Sequence, residues 1–331
     1  MSSKIIGLDI GSSTIKMVLC KNGVITACTT MPMPDGMLVE DHITNVERMG
    51  DLLRAAIRST NMKARKMALV VSNEVCFLRE LSLPRMTVPL LEKNLPYEFS
   101  SYIEGDLKDY VFDYQVVQNV TMEDENMSLM AAALPAELVE QMQAIARGTG
   151  SRLVRIAPNE SAFQAIIRQG GALTEQHKEF CFLNLGYHAT RMFMFQGDCH
   201  KATRVLDNSL WVLEASLMQE LGLERADAHR FLLENRDDCQ NRESCLNIYR
   251  DIAVELMRAL NFYRFSNPDS VLEDVWLCGG GAAIQPLREI INETLGITIH
   301  RADELIRASV EIPDAFNYVQ AYGVTMDFKL K

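Results

Sequence analysis

The stretch IIGLDIGSSTIKMVL, Ile5–Leu19, decides the fold because a glycine and two serines stand between two apolar runs. The pattern predicts a buried strand over Lys4–Ile10, a tight turn over Gly11–Ser13 and a second strand over Thr14–Cys20. Asn22–Gly23 is a typical two-residue hairpin turn and leads into a third strand. Since no helix follows the glycine, the stretch is neither a Walker loop nor a dinucleotide-binding fingerprint.

The same plan recurs in FCFLNLGYHATRMFMFQGDCHKATRVL, residues 180–206. There the pattern predicts a strand to Leu185, a turn over Gly186–Ala189, a strand to Phe195 and, after a Gly–Asp turn, a further strand. Gly186 follows Gly11 by 175 residues, and each group of strands is followed by an apolar pattern of helical period. The sequence therefore predicts a duplicated α/β fold.

A third signal is VLEDVWLCGGGAAIQPLREIINETLGI, residues 271–297. It predicts a short apolar strand that ends in Gly279–Gly281, with a helix beginning near Ile284. A strand that runs into glycines and a helix start allows the backbone to approach a flat ring or a phosphate closely. An ordinary turn between a strand and a helix explains the same residues.

Charge and composition exclude several functions for this chain of 331 residues. The formal net charge is −11 with a sequence pI of about 5.1, so no nucleic-acid partner is expected, because such binding needs a concentrated basic surface. The small cluster Lys63, Arg65 and Lys66 is predicted to be a solvated helix end. The six histidines have no ligand spacing, which disfavours a structural zinc site.

The cysteines and the apolar runs indicate a cytoplasmic location. Eight cysteines occur without a CxxC pair and mostly within apolar runs, as expected for buried thiols in a reducing compartment. The start of the chain lacks the pattern of a signal peptide, and no apolar run approaches the roughly 20 residues that span a bilayer. No direct membrane insertion is expected.

The two hairpins and the strand–glycine–helix segment together resemble the actin-like ATPase superfamily of actin, sugar kinases and heat-shock chaperones. In that superfamily the two hairpins hold the phosphates of a nucleotide, and the glycine turn packs on its adenosine. The resemblance implies an α/β, actin-like (ribonuclease H-like) duplicated two-domain fold.

Within the superfamily the chain resembles the type IV pilus assembly protein PilM family, which is related to the cell-division protein FtsA. The resemblance is carried by GLDIGSSTIKMV, by WLCGGGAAIQPLREII and by LSLPRMTVPLLEKNLPYEFSSYIEGDLKDYVFDYQVV from Leu81, which looks like the small subdomain inserted in PilM and FtsA. The implied domains are a first half at 1–80 and about 159–176, the inserted subdomain at 81–158, a second half at 177–315 and a closing helix at 316–331 that packs on the first half.

The resemblance also implies contacts to ATP and Mg²⁺. Turn amides and hydroxyls donate to phosphates, a lysine reaches the terminal phosphate, and Asp9 holds water around Mg²⁺. The implied nucleotide-binding residues are Asp9, Gly11, Ser12, Ser13, Thr14, Lys16, Gly186, Thr190, Gly279, Gly280 and Gly281. Alternatively, the hairpins are retained as architecture without a nucleotide.

Several residues depart from the family pattern. Asn184 stands where the second hairpin normally has aspartate, and 207–209 replaces a Gly–Gly turn. His229 and Leu232 stand where family members have the glutamate and lysine that approach the ribose and the base. Glu160 could orient water as in hydrolysing relatives, or be an acid favoured at a helix start. Turnover is accordingly expected to be slow or absent, so the chain is at most a weak ATPase.

The implied partner is the cytoplasmic N-terminal tail of a PilN-like inner-membrane protein, bound in a groove between the subdomain and the first half. Residues 97–114 interleave aromatic and acidic side chains, and they form either walls for the tail or the core and solvated face of the subdomain. The resemblance implies a scaffold at the inner face of the membrane that contacts the pilus assembly platform and its motor ATPase. A secretion system of type II is equally compatible.

Two other functions remain open from the sequence. A small-molecule kinase of the same fold needs a general base near the γ-phosphate, and neither half shows a motif for one. A division protein like FtsA needs an amphipathic helix after a linker, whereas AFNYVQAYGVTMDFKLK, residues 315–331, reads as a packed closing helix.

Overall fold

The computed structural model describes residues 4–39, 41–116, 125–170 and 178–326. The predicted limits at 176 and 331 lie outside these residues. The first elements are β1 (Lys4–Ile10), β2 (Thr14–Lys21), β3 (Val24–Pro32), β4 (Leu38–Val39), β5 (His42–Ile43), α1 (Val46–Ser59), β6 (Lys66–Val71), β7 (Phe77–Pro84), α2 (Val88–Asn94), β8 (Tyr110–Val116), β9 (Asn126–Pro135), α3 (Ala136–Gly148) and β10 (Arg152–Pro158). The later elements are α4 (Asn159–Gly170), β11 (Glu179–Leu185), β12 (Thr190–Gln196), β13 (Cys199–Leu206), α5 (Leu210–Leu221), α6 (Arg225–Leu233), α7 (Glu243–Ser266), β14 (Asp274–Cys278), α8 (Gln285–Leu295), β15 (Thr298–Arg301) and α9 (Val319–Gly323).

Local residues explain the turn of the first hairpin and the start of the helix that follows it. Asn22 and Gly23 both have positive φ, 55° and 76°, which the tight turn between β2 and β3 needs and which these two residue types tolerate. α1 begins after Asn45, whose side chain accepts a hydrogen bond of 2.8 Å from the amide of Arg48. The predicted strand–turn–strand order is confirmed in both copies.

The two large sheets have the same topology. One has the order β10-β6-β1-β2-β3 and the other β15-β14-β11-β12-β13. In each, three antiparallel strands are followed by two strands parallel to the first. The duplication predicted from the 175-residue offset therefore extends to the strand order of both sheets.

The chain divides into two compact units. Unit 1 comprises residues 1–10, 14–162 and 320–331, and unit 2 comprises 11–13 and 163–319. Unit 1 holds the first large sheet and a small sheet of order β7-β9-β8, and unit 2 holds the second large sheet with α5–α8. Each unit has its own buried apolar core.

The small sheet occupies a shorter stretch than the predicted insertion at 81–158. Its strands lie between Phe77 and Pro135. Phe99 is buried in the separate apolar core that packs on this small sheet. β10, inside the predicted limits, instead pairs with β6 in the large sheet. The assignment of domain limits itself stays a prediction.

Residues 320–326 pack on the sheet of unit 1. A Cβ on Gly7 of β1 would lie 1.9 Å from the carbonyl oxygen of Ala321, so this approach requires glycine. Tyr322 Oη donates to the Gly23 carbonyl at 2.8 Å, and Arg155 Nη1 donates to the Val324 carbonyl at 2.8 Å. The closing helix thus contacts the first sheet at several points.

Candidate functional site

The first hairpin brings Asp9 and Lys16 together. They are register partners on β1 and β2, and Lys16 Nζ lies 3.5 Å from Asp9 Oδ2. Both side chains are largely buried. The lysine predicted to reach a phosphate is therefore held by the carboxylate predicted to hold a metal.

The predicted nucleotide-binding residues are divided between the two units. Asp9, Thr14 and Lys16 belong to unit 1. The remainder belong to unit 2: Gly11, Ser12, Ser13, Gly186, Thr190 and Gly279–Gly281. Each unit therefore carries its own part of the predicted set.

The second hairpin repeats the register of the first with different chemistry. Asn184 pairs with Arg191 at the positions that Asp9 and Lys16 hold in the first hairpin. A neutral amide thus replaces the carboxylate opposite a cation. Thr190, predicted to contact nucleotide, is fully buried within unit 2.

The loop of this hairpin is bonded to the start of α5. The amides of Leu210 and Trp211 donate to the carbonyls of Gly186 and Tyr187 at 3.2 and 2.9 Å. A Cβ on Gly186 would lie 2.5 Å from the Ala189 carbonyl oxygen, so the loop closes only with glycine. The first two amides of α5 are therefore already engaged by the loop.

The glycine run after β14 is required by packing inside unit 2. Gly279 has φ of 81°, and a Cβ there would lie 2.3 Å from Asn184 Oδ1. A Cβ on Gly281 would lie 2.6 Å from the Cβ of Leu185. A short 3₁₀ turn at 280–283 then precedes α8, which begins at Gln285, next to the start predicted near Ile284. The close approach of β14 to β11 accounts for these glycines.

A buried carboxylate lies behind the second hairpin loop. Glu214 on α5 is 0% exposed. Tyr187 Oη donates to its Oε2 at 3.0 Å, and His229 Nδ1 on α6 lies 2.5 Å from its Oε1. The contacts join the loop, α5 and α6 around one acidic group.

A cation and aromatic rings surround this carboxylate. Arg225 Nε donates to Tyr187 Oη at 3.1 Å, and its guanidinium lies 5.5 and 5.6 Å from the ring centroids of Tyr187 and Trp211. Burial, followed by the charge of Glu214, raises the pKa of Tyr187 to about 12. The sequence patterns did not predict this cluster, although a single glutamate within the apolar helix LWVLEASL was a signal for it.

The residues that depart from the family pattern have structural roles here. His229 faces Glu214, and Leu232 is fully buried in the core of unit 2. Ser209 is the residue before α5, and Asn208 Nδ2 donates to Glu255 Oε1 at 3.1 Å. These positions are used for packing and internal hydrogen bonds.

Glu160 lies in the first turn of α4 and is buried. Asn73 Nδ2 donates a hydrogen bond to its Oε1. The pKa of the nearby Cys76 thiol is raised to about 12, chiefly by burial and further by the charge of Glu160. The carboxylate is thus engaged within unit 1, which fits the helix-start interpretation of this residue.

The sequence predicts that Asp9 holds a metal ion through water. Within the described residues no group of three or more His, Cys, Asp or Glu side chains could hold an ion. Asp9 is a single carboxylate, which suits Mg²⁺ only when substrate oxygens and waters complete the coordination shell of the ion.

All eight cysteines, which lie within the described ranges, are free thiols, and six are buried.

Comparison with known proteins assigns the chain to a family. A model of the family described as type IV pilus assembly protein PilM matches residues 7–311. The chain belongs to the PilM family. A structure of the PilM–PilN type IV pilus biogenesis complex has a TM-score of 0.81 at 21% identity and covers 97% of both chains.

Further structures show the breadth of the fold that this PilM-family chain adopts. The ethanolamine utilization protein EutJ from Carboxydothermus hydrogenoformans has a TM-score of 0.60 at 12% identity, with 98% of this chain and 89% of EutJ covered. MreB5 of Spiroplasma citri bound to ADP has a TM-score of 0.52 at 11% identity, with 98% and 95% covered. The predicted actin-like fold is therefore confirmed. Among the described residues no helix combines the length and apolarity needed to cross a membrane.

Proposed function

We propose that this protein is a cytoplasmic actin-like scaffold of type IV pilus assembly, or of a related type II secretion system, that binds the cytoplasmic N-terminal tail of a PilN-like inner-membrane protein. The observation that carries the proposal is the PilM-family match over residues 7–311. The tail holds the scaffold at the inner face of the membrane, where it contacts the assembly platform and its motor ATPase. The same match favours this function over a small-molecule kinase or a division protein.

The small sheet subdomain offers apolar surface for such a tail. Tyr97 is 69% exposed and Tyr102 is 51% exposed, with the Arg79 guanidinium 3.6 Å from the centroid of the Tyr102 ring. Val88 and Leu90 on α2 are also well exposed. Exposed apolar side chains gathered on one small subdomain are typical of a surface that binds apolar peptide anchors.

The test is calorimetric titration of a synthetic peptide of the PilN-like tail. We expect saturable binding that falls about tenfold or more in Leu90→Ser/Tyr97→Ser, because anchor residues carry most of the affinity of such interfaces. Phe265→Ser is the matched control, since Phe265 is 85% exposed in unit 2. Equal binding by both variants would place the tail elsewhere, and no binding to the unmodified protein would refute the proposal.

The proposed regulator is ATP with Mg²⁺. Support comes from the fold, from the turn residues Gly11–Ser13 with their donors, and from the pairing of Asp9 with Lys16. Residues proposed to contact it are Asp9, Gly11, Ser12, Ser13, Thr14, Lys16, Gly186, Thr190, Gly279, Gly280 and Gly281. When bound, Mg²⁺ would neutralise phosphate charge, with Asp9 as its protein carboxylate through water.

Calorimetry with Mg-ATP tests this second proposal. Binding is expected in the unmodified protein and in the exposed control Asp51→Ala, and is expected to be lost in Asp9→Ala. Phosphate release should be slow or undetectable because Asn184 replaces a carboxylate. The absence of binding at millimolar ATP would leave the hairpins as architecture.

A further inference from the structure

A row of cations lies along one edge of the large sheet of unit 1. The parallel strands β1, β6 and β10 start at this edge, where Lys66 and Arg152 are register partners. Lys4, at the start of β1, pairs with Lys21 at the end of β2. The loop before β6 adds two more cations. We call this group the basic edge: Lys4, Lys21, Lys63, Arg65, Lys66 and Arg152.

The basic edge corrects the expectation of a solvated helix end. α1 ends at Ser59, so Lys63 and Arg65 lie beyond the helix, and Lys66 begins a strand. Arg58 and Arg147 lie in the last turns of α1 and α3, where the negative end of the helix dipole favours a cation. This explanation does not apply to the six cations of the basic edge.

The six cations of the basic edge are all exposed, and within the part of the chain that the structure describes none forms an ion pair with a carboxylate. The chain as a whole has 44 acidic and 33 basic side chains. A local surplus of positive charge on an acidic protein creates a field that attracts anionic groups to this edge.

Two shallow, open clefts lie beside the basic edge. The clefts, of about 690 and 380 Å³, share Arg147, Gly150 and Ser151 in their linings. Their lining residues include neither a carboxylate nor an aromatic ring. Arg54 Nε donates to the Gly148 carbonyl at 2.5 Å, which offsets the negative end of α3 beside the cleft.

This shape and charge favour one class of partner. The lack of aromatic rings in the clefts disfavours single-stranded nucleic acid, because its bases stack on such rings. The net charge of −11 repels an extended anionic surface, such as an acidic bilayer or a long nucleic acid, beyond the edge. A short acidic peptide is small enough to contact only the positive charges of the basic edge.

We propose that the basic edge and its clefts are a docking surface for an acidic polypeptide segment of a partner protein. Asp9 lies near the opposite end of β1, so this surface is separate from the residues proposed to contact ATP. It also differs from the apolar surface proposed for the PilN-like tail. A segment rich in Asp and Glu would bind through several weak, salt-dependent charge pairs.

The test is fluorescence anisotropy with a labelled oligoglutamate peptide and the full chain. We expect saturable binding at low salt that weakens as salt rises. Lys63→Ala/Arg65→Ala/Lys66→Ala should lower the affinity about tenfold or more, as expected for the loss of three charge pairs. The matched control removes three exposed cations of unit 2, Lys201→Ala/Arg258→Ala/Arg307→Ala, and should bind like the unmodified protein.

Other anions and a second variant complete the experiment. Equal losses in the two triple variants would overturn the proposal, as would the absence of peptide binding. Binding of vesicles rich in phosphatidylglycerol, or of an oligothymidine, in preference to the peptide would also overturn it and assign the edge to a membrane or a nucleic acid. If thermal melting shows that the first variant is unfolded, Lys4→Ala/Lys21→Ala/Arg152→Ala replaces it.

Discussion

His229 Nδ1 on α6 lies 2.5 Å from Oε1 of the fully buried Glu214 on α5. The second oxygen of the same carboxylate accepts a hydrogen bond from Tyr187 Oη in the second hairpin loop. A buried charge is tolerated only when partners satisfy it. Glu214 therefore fixes the loop relative to both helices.

Removal of this carboxylate should destabilise the protein strongly. Glu214→Ala leaves Tyr187 and His229 without their buried partner, and we expect a loss of about 3 kcal/mol in the free energy of unfolding. Chemical denaturation measures it. The control Glu220→Ala removes an exposed acid of the same helix that pairs with Arg242, and should cost much less than Glu214→Ala because exposed ion pairs contribute little. Similar losses in both variants would contradict the role of Glu214.

The stability contributed by Tyr187 should depend on alkaline pH. Its pKa rises from a usual value near 10 to about 12, so between these values the unfolded chain releases a proton that the folded protein keeps. This contribution is complete below pH 10 and is lost as the pH rises towards 12. Tyr187→Phe should cost about 1 kcal/mol at neutral pH, and this difference from the unmodified protein should vanish and then reverse between pH 10 and pH 12, because the contribution lost over that range is larger than about 1 kcal/mol. A difference that stays constant across this range in denaturation curves would contradict the assigned pKa.

Gly279 should tolerate substitution less well than another glycine of positive φ. In Gly279→Ala the new Cβ strains the backbone and meets Asn184 Oδ1, whereas Gly197, with φ of 60°, has no atom within 4 Å of its Cβ position. We expect Gly197→Ala to cost about 1 kcal/mol and Gly279→Ala about 3 kcal/mol or more. Thermal melting compares the two variants. Equal costs would show that backbone strain alone sets the requirement for glycine at 279.

Lys16 should matter for both stability and nucleotide binding. Its cross-strand pair with Asp9 is largely buried, so Lys16→Met leaves the carboxylate without its cation and should lower the free energy of unfolding by about 3 kcal/mol. The affinity for Mg-ATP should also fall about tenfold or more, as expected when a charged contact to phosphate is lost. Melting curves and calorimetry on the same preparation separate these effects. A large loss of stability with unchanged binding would make the pair architectural.

The sequence predicted those parts of the fold that depend on neighbouring residues. The turn at Asn22–Gly23 and the repeated hairpin follow from local turn chemistry and from periodicity, and both are confirmed. The pairing of β10 with β6 joins strands far apart in the chain, so local patterns alone could not predict it.

The candidate site shows the same limit. The sequence predicted that glycine is needed at position 279 for a close backbone approach. It could not distinguish an approach to a ligand from a tight contact with Asn184, because both require a residue without a side chain. It also left Glu214 unnoticed, since only the folded chain brings Tyr187 and His229 to its carboxylate.

The contact of Gly7 with the carbonyl of Ala321 sets an order of events during synthesis. In the sequence, unit 1 is formed by residues before and after the long segment of unit 2, which runs from Phe163 to Val319. At roughly 10 residues per second a ribosome needs about 15 seconds to translate that intervening stretch. The nascent first sheet waits for that time without the segment that covers Gly7, so unit 2 has the opportunity to fold before unit 1 is complete.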